Sequence, residues 1–289
     1  MTGIVVADKP AGWTSFDVAA RLRGLFHERR IGHGGTLDPM ATGVLPLFLG
    51  RATRAVPFFE EDADKEYVAG LRLGLETDTE DVTGQVLSQR PVSVSRAALT
   101  AALAAMTGPQ MQTPPMYSAV RVNGQRLYDL ARQGKTVARK ARPVTFYELE
   151  LLDGAGADWI IRVRCSKGAY VRTLCAELGR ALGCGGCMSS LRRTQAGRFS
   201  IARAVPLEQL LAAEDPAALV MPVDALFAAY PAVTVDGDLE RRLRCGNALP
   251  WEGGAPGRCR VYSAAGAFLA LARQESGLLV TERSFFEVE

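Results

Sequence analysis

The chain has 289 residues, 48% of them hydrophobic, and 34 lysines and arginines against 31 aspartates and glutamates leave a net charge of +3. That profile excludes collagenous, disordered and disulfide-scaffold chains, and at roughly 150 residues per domain it predicts one large domain or two unequal ones. The charge is unevenly placed, −2 over residues 1–100, +9 over 101–200 and −4 over 201–289, which suits a polyanion-binding face, although with only five lysines the arginine excess also fits the codon usage of a GC-rich genome.

Ile4 to Ala7 reads as a short buried strand that stops at Asp8-Lys9-Pro10-Ala11-Gly12. Thr14 or Ser15 caps a helix with Val18, Leu22, Leu25 and Phe26 on one face, ending in the basic pair Arg29-Arg30. A glycine-rich loop from Gly32 to Gly43 then precedes the apolar run Val44 to Leu49. Such a loop lets backbone approach a ligand closely. Tyr67, Ala69, Leu71, Leu73 and Leu75 recur at a two-residue period that turns the Tyr67 ring inward. Leu99, Leu103 and Met106 mark an amphipathic helix closed by Gly108-Pro109. Between Gln112 and Pro143 core positions are few, and Arg121, Arg126, Arg132, Lys135, Arg139, Lys140 and Arg142 are opposed only by Asp129, a net +6.

Trp159, Ile161, Val163 and Cys165 form another alternating strand, which runs through Ser166-Lys167-Gly168 into a helix with Val171, Leu174, Cys175 and Leu178 inward. A strand, a glycine turn and a helix N-terminus make an anion site, to which Lys167 and Arg172 add charge. Pro206 to Leu226 reads as a helical connector. Beyond Tyr230, the strands Cys259 to Tyr262, Phe268 to Leu271 and Leu278 to Thr281 outline a small β domain.

The sequence shows no signal peptide and no apolar run near the ~18 residues of a membrane span, so a cytoplasmic, reducing location is expected for the six cysteines. Cys184-Gly-Gly-Cys187 has the spacing of half a zinc site or a redox pair, yet no second such pair or close histidine accompanies it, and the two read as structural thiols. In the glycine-rich loop the phosphate-loop pattern lacks its Lys and Ser/Thr, and no second matching Asp segment exists for an aspartic-protease dyad. What remains is one carboxylate, Asp38, which on its own reads as readily as turn chemistry before Pro39.

The segment GHGGTLDPMATGVLPLFLGRAT resembles the catalytic motif of the TruB family of tRNA pseudouridine synthases, and four more segments resemble that family in order: VVADKPAGWTS, DKEYVAGLRLGLETDTEDVTG, PPMYSAVRVNGQRLYDLARQG, and CSKGAYVRTL followed by LRRT. Gly34 where Thr is common and Arg121 where Lys is common are the departures. The resemblance implies an α/β (α+β) fold with a mixed, largely antiparallel sheet and flanking helices over residues 1–228, a basic thumb-like insert at about 112–143, and a C-terminal PUA-like β domain at 229–289.

It also implies isomerisation of uridine to pseudouridine at position 55 in the T-loop of tRNA by a monomeric enzyme, with no cofactor and no metal. Carried over by motif, Asp38 is the catalytic aspartate, Tyr67 the tyrosine that stacks on the base and Arg172 the arginine paired with the aspartate. Tyr170 and Leu191 match the uridine pocket, Lys9 and Pro10 the buttress of the catalytic loop, and His33 the RNA contact near the extruded nucleotide. Each has a plainer structural reading: Arg172 as a helix-capping side chain, Tyr67, Tyr170 and Leu191 as core, His33 as a loop hydrogen-bond partner. Arg121, Arg126, Arg132, Arg139, Lys140 and Arg142 are expected on the RNA backbone. A guanidinium beside Asp38 is expected to favour its charged form, lowering the pKa by ~1 to 3. A non-catalytic tRNA-binding or folding protein on the same scaffold, and a base-exchanging enzyme that releases uracil, are the competing functions.

Overall fold

The computed structural model of the chain describes residues 1–61 and 64–287. Strand β1, Gly3–Lys9, leads through a turn to helix α1, Ser15–Phe26. Thr14 caps α1 by accepting from the Asp17 amide while the Asp17 carboxylate accepts from the Thr14 amide, so two of the free amides at the helix start are satisfied. The helix stops at Phe26, short of the expected Arg29-Arg30, because His27 takes a left-handed conformation (φ 47°). Strand β2, Ile31–His33, pairs with β3, Thr42–Leu49, and the loop between them carries Asp38. Strand β4, Lys65–Leu73, ends two residues before Leu75, which begins a separate ribbon of Leu75–Thr77 with Val86–Gln89.

Ten strands form one sheet in the order Val205–Pro206, β1, β3, Gly186–Ala196, β4, Asp158–Cys165, Arg142–Ala155, Gly108–Gln112, with β2 and Phe199–Ser200 attached at its side. Only the pairings of β1 with Val205–Pro206 and of β3 with Gly186–Ala196 are parallel. The alternation read from the sequence holds along β4 and Asp158–Cys165: Tyr67, Ala69, Leu71, Leu73, Trp159, Ile161, Val163 and Cys165 are buried on one face. On that face they meet Val18 and Leu22 of α1, Leu99 and Leu103 of Arg96–Met106, and Leu174 and Leu178 of Val171–Ala181.

The other face is also covered, which explains the unbroken apolar run of β1: Val5 and Ala7 enter the first core, Ile4 and Val6 a second one with Phe48, Phe59, Phe199, Phe227, Leu271 and Phe285. The segment read as a connector is structural instead. Leu207 and Leu210 of helix Leu207–Ala212 pack into the first core, and Val223 and Phe227 into the second. Beyond it a five-stranded sheet, in the order Ala232–Val235, Gly257–Ser263, Phe268–Glu275, Leu278–Ser284, Leu249–Pro250, encloses its own small core. No helix among the described residues is long and apolar enough to cross a membrane.

Candidate active site

The Asp38 loop is held from beneath by the turn between β1 and α1. The Leu37 amide donates to Ser15 Oγ (2.9 Å), the Gly12 amide to the Pro39 carbonyl (2.8 Å), and Lys9 Nζ to the carbonyls of Trp13 (2.6 Å), Pro10 (2.9 Å) and Pro39 (3.3 Å). Lys9 is fully buried with carbonyls as its hydrogen-bond acceptors. Burial pulls its pKa down to about 8, opposed by the attraction of Asp38. The expected buttressing by Lys9 is therefore a three-carbonyl anchor beside residue 38. From the side, Arg193 donates through Nε to the Val44 carbonyl (2.7 Å) and through Nη2 to that of Gly35 (3.2 Å). Strand β3 approaches so closely that a Cβ on Gly43 would stand 2.1 Å from the Arg193 carbonyl oxygen, which leaves room for glycine alone.

Arg172 meets Asp38 at two points, Nε to Oδ2 (2.9 Å) and Nη2 to Oδ1 (3.2 Å), although the residues lie 134 positions apart in sequence. Its remaining donors reach the Thr79 carbonyl (3.1 Å) and the Tyr117 carbonyl (2.8 Å), and Asp81 Oδ2 lies 3.8 Å from Nη1. One guanidinium thus joins the Asp38 loop, the turn after Thr77 and the base of the basic insert. Its direction is set at the helix start, where the Tyr170 amide donates to Gln112 Oε1 (2.8 Å) and Gln112 Nε2 donates back to the Tyr170 carbonyl (3.1 Å).

Two expectations fail here. The anion site at this helix N-terminus is not built, because Gln112 takes the Tyr170 amide and Arg172 turns inward to Asp38. Lys167, exposed at the rim, donates to the Glu61 carbonyl (3.3 Å). The Asp38 pKa is raised, not lowered: burial outweighs the pull of Arg172, and the nearby Asp81 carboxylate adds to the rise. Desolvation had no signature in a sequence read one segment at a time.

Tyr67 is buried, and burial pushes its phenol up to about 12 while the Arg193 guanidinium pulls the other way. The two residues are direct cross-strand neighbours, as Leu191 is of Ala69. Leu191 is a core side chain at 8% exposure. Tyr170 is half-buried, its pKa raised by burial, within the influence of Arg172 and Asp38. His33 sits on β2 with Nδ1 buried and unpartnered, and burial, then Arg193, pull its pKa below the usual value.

Asp81, Arg193, Ser15, Gln112 and Lys65 escaped the sequence reading. Arg193 and Lys65 had a signal, since a two-residue period places them on the same faces as Leu191 and Tyr67. Asp81 is kept by its own turn, with Oδ1 accepting from Thr79 Oγ1 (2.9 Å) and the Thr83 amide (2.9 Å). In the basic insert, Arg121, Arg126, Arg132, Lys140 and Arg142 are exposed, whereas Arg139 donates to the Pro114 carbonyl (2.9 Å) and is partly withdrawn. Cys184 and Cys187 are buried free thiols.

Residues 23–171 match the model of the TruB family pseudouridylate synthase N-terminal domain, and residues 172–228 that of the tRNA pseudouridylate synthase B C-terminal domain. The chain belongs to the TruB family of pseudouridylate synthases. It is similar to the tRNA pseudouridine synthase B of Ralstonia pickettii (strain 12J), 44% identical over 97% of this chain and 93% of the relative. The protein of that name from Aromatoleum aromaticum (strain DSM 19018 / LMG 30748 / EbN1) is 47% identical over 93% and 87%. Among solved structures, a chain from a Cbf5-Nop10-Gar1 complex superposes with a TM-score of 0.73 at 25% identity, covering 98% of this chain and 85% of that one. In this TruB synthase the two family matches meet at the start of the Arg172 helix, which joins two strands of the ten-stranded sheet, so Asp38 lies in the first match and Arg172 in the second.

Proposed function

We propose that this TruB-family isomerase converts uridine to pseudouridine at position 55 in the T-loop of tRNA, acting through the Asp38 carboxylate on a flipped-out nucleotide. The observation that carries the reading is the asymmetry of the ion pair: the Arg172 side chain is 6% exposed and the Asp38 side chain 33%. The guanidinium is locked inside and the carboxylate is the member offered to a ligand. The names of the relatives, tRNA pseudouridine synthase B, support the substrate class.

The reaction breaks the N1–C1′ bond, joins C5 to C1′ and moves a proton from C5 to solvent while N1 gains one, with no net redox change. A uridine must leave its stack to expose these atoms. Its base stacks on the Tyr67 ring, a contact of order 1–3 kcal/mol. Asp38 must be ionised to act at the ribose or at C6, and the two-point contact with Arg172 offsets part of the cost of burying that charge. The exposed cations of the insert meet the T-arm backbone as a thumb, and residues 229–289 serve as a PUA-like RNA-binding domain beside a catalytic domain of residues 1–228. A monomer working in the cytoplasm completes the proposal.

The test is conversion of uridine in a T-arm RNA. Asp38→Asn keeps the side-chain shape and is expected to abolish product while RNA is still bound; turnover at the wild-type rate would remove Asp38 from the mechanism, and release of free uracil would favour base exchange.

A further inference from the structure

Next to the Asp38 loop, cations converge on a small space. A Cβ on Gly35 would stand 3.3 Å from Lys65 Nζ and 3.5 Å from Arg193 Nη1. The cations come this close because residue 35 is glycine, and its φ of +90° favours glycine as well. Arg193 is fully buried and its Nη1 has no hydrogen-bond partner; His33 Nδ1 is also buried without one. Among the described residues, the ion pairs of this region take Arg164 to Asp64 and Arg258 to Glu61, and none includes Lys65, Lys167 or Arg193. The groups that favour the charged form of Lys65 are the buried Cys165 thiol and the exposed Glu60, and Glu60, which also acts on His33, pairs with neither. Burial, then the charge of Arg193, pull the Lys65 pKa below the ordinary lysine range, and Lys167 adds to the effect.

Like charges brought together with no counter-charge among the described residues cost stability, and an anion arriving beside them recovers it. The cluster reaches the surface through its outer members, since Gly35 and Lys65 are half-buried and Thr36 and Lys167 exposed, with Arg193 buried behind them. Its position fits a particular anion. Lys65 and Tyr67 project from the same face of β4, two residues or about 7 Å apart along the strand, and Gly35 precedes Asp38 by three residues in the loop.

Resting on the reading of this site as a uridine pocket, we propose that Gly35, Lys65 and Arg193, with Lys167 at the rim, form a pocket for a phosphodiester flanking the reacting uridine. The base lies on Tyr67, the ribose faces Asp38, and the adjoining backbone phosphate meets the cations gathered beside Gly35. This contact is separate from the thumb cations and positions one nucleotide, not the whole arm.

T-arm RNAs carrying a single neutral methylphosphonate 5′ to the target uridine, 3′ to it, or several nucleotides away are titrated against wild-type protein, Lys65→Met and Lys65→Gln. Wild type is expected to lose about tenfold in affinity for one of the two flanking substitutions and little for the remote one. In both variants that loss should shrink to less than twofold, since the interaction is already gone. Which flanking substitution couples tells the 5′ phosphate from the 3′ one. An equal loss in wild type and variants, or no loss at either flank, would overturn the pocket. Failure of wild type to bind or convert the unmodified RNA would instead overturn the functional reading beneath it.

Discussion

Arg172 is 6% exposed and gives its donors to Asp38, Thr79 and Tyr117, whereas Arg132 is exposed and lies over the ring of Tyr128, 5.5 Å from its centroid. The same contrast runs through their surroundings. Around Asp38 the backbone is pinned by Ser15, Gly12, Lys9 and Arg193, and each anchor comes from a different element. In the insert the ribbon has two residues per strand, Arg121–Val122 with Gln125–Arg126, and the six-residue helix Leu127–Arg132 is anchored by Leu127 and Leu130. Groups that stabilise a reacting centre act best when desolvated and fixed in advance. Cations that meet a phosphate backbone work by releasing counterions, which requires exposure and tolerates mobility.

Breaking the fixed side should produce the largest effect. Arg172→Ala leaves the Asp38 carboxylate and two carbonyls without their partner, and the loss is expected to be about 3–5 kcal/mol in urea unfolding, with activity abolished. Lys9→Met keeps the buried stem and removes the donor to three carbonyls; about 1–3 kcal/mol should be lost in the same measurement, and kcat should fall because the loop beside Asp38 loosens.

A subtler probe is the pH dependence. The role proposed for Asp38 needs its ionised form, so the single-turnover rate is expected to fall as pH drops through a pKa that lies above the usual 3.8. Asp81 raises that pKa, hence Asp81→Asn should move the acidic limb to lower pH. A limb that stays in place would remove Asp81 from the electrostatics of the site. The smallest effects belong to the insert. Alanine at Arg121, Arg126, Arg132, Lys140 or Arg142 should change stability by less than about 0.5 kcal/mol and flatten the salt dependence of RNA affinity by about one unit each. Arg139→Ala should instead cost stability, because Arg139 holds the Pro114 carbonyl.

Much of the fold was legible in the sequence because it depends on neighbours. The two-residue period turned Tyr67 inward, and Thr14 or Ser15 marked the start of α1, which Thr14 caps. The approximate end of α1 and the packing of Leu207 and Leu210 were missed, since a left-handed turn and a docking surface leave little local pattern. For the site, Asp38, Tyr67 and Arg172 were reached through resemblance of whole motifs, and the plain residue pattern around Asp38 supported turn chemistry equally well. Asp81 and Lys65 stood inside a motif that was already quoted, yet nothing local shows that a carboxylate after a Thr-rich turn will face a guanidinium from a distant helix.

The sequence by itself determined the strand and helix periodicities, the family, and the concentration of positive charge between residues 121 and 142. Only the tertiary structure decided which charges are opposed and which are not: Arg172 is matched by Asp38 and Asp81, while Lys65 and Arg193 converge beside Gly35. It also reversed the expected direction of the Asp38 pKa. The physical reason is common to both. Desolvation and pairing depend on what lies within a few ångströms in space, and the groups that come that close to Asp38 are supplied by segments far apart along the chain.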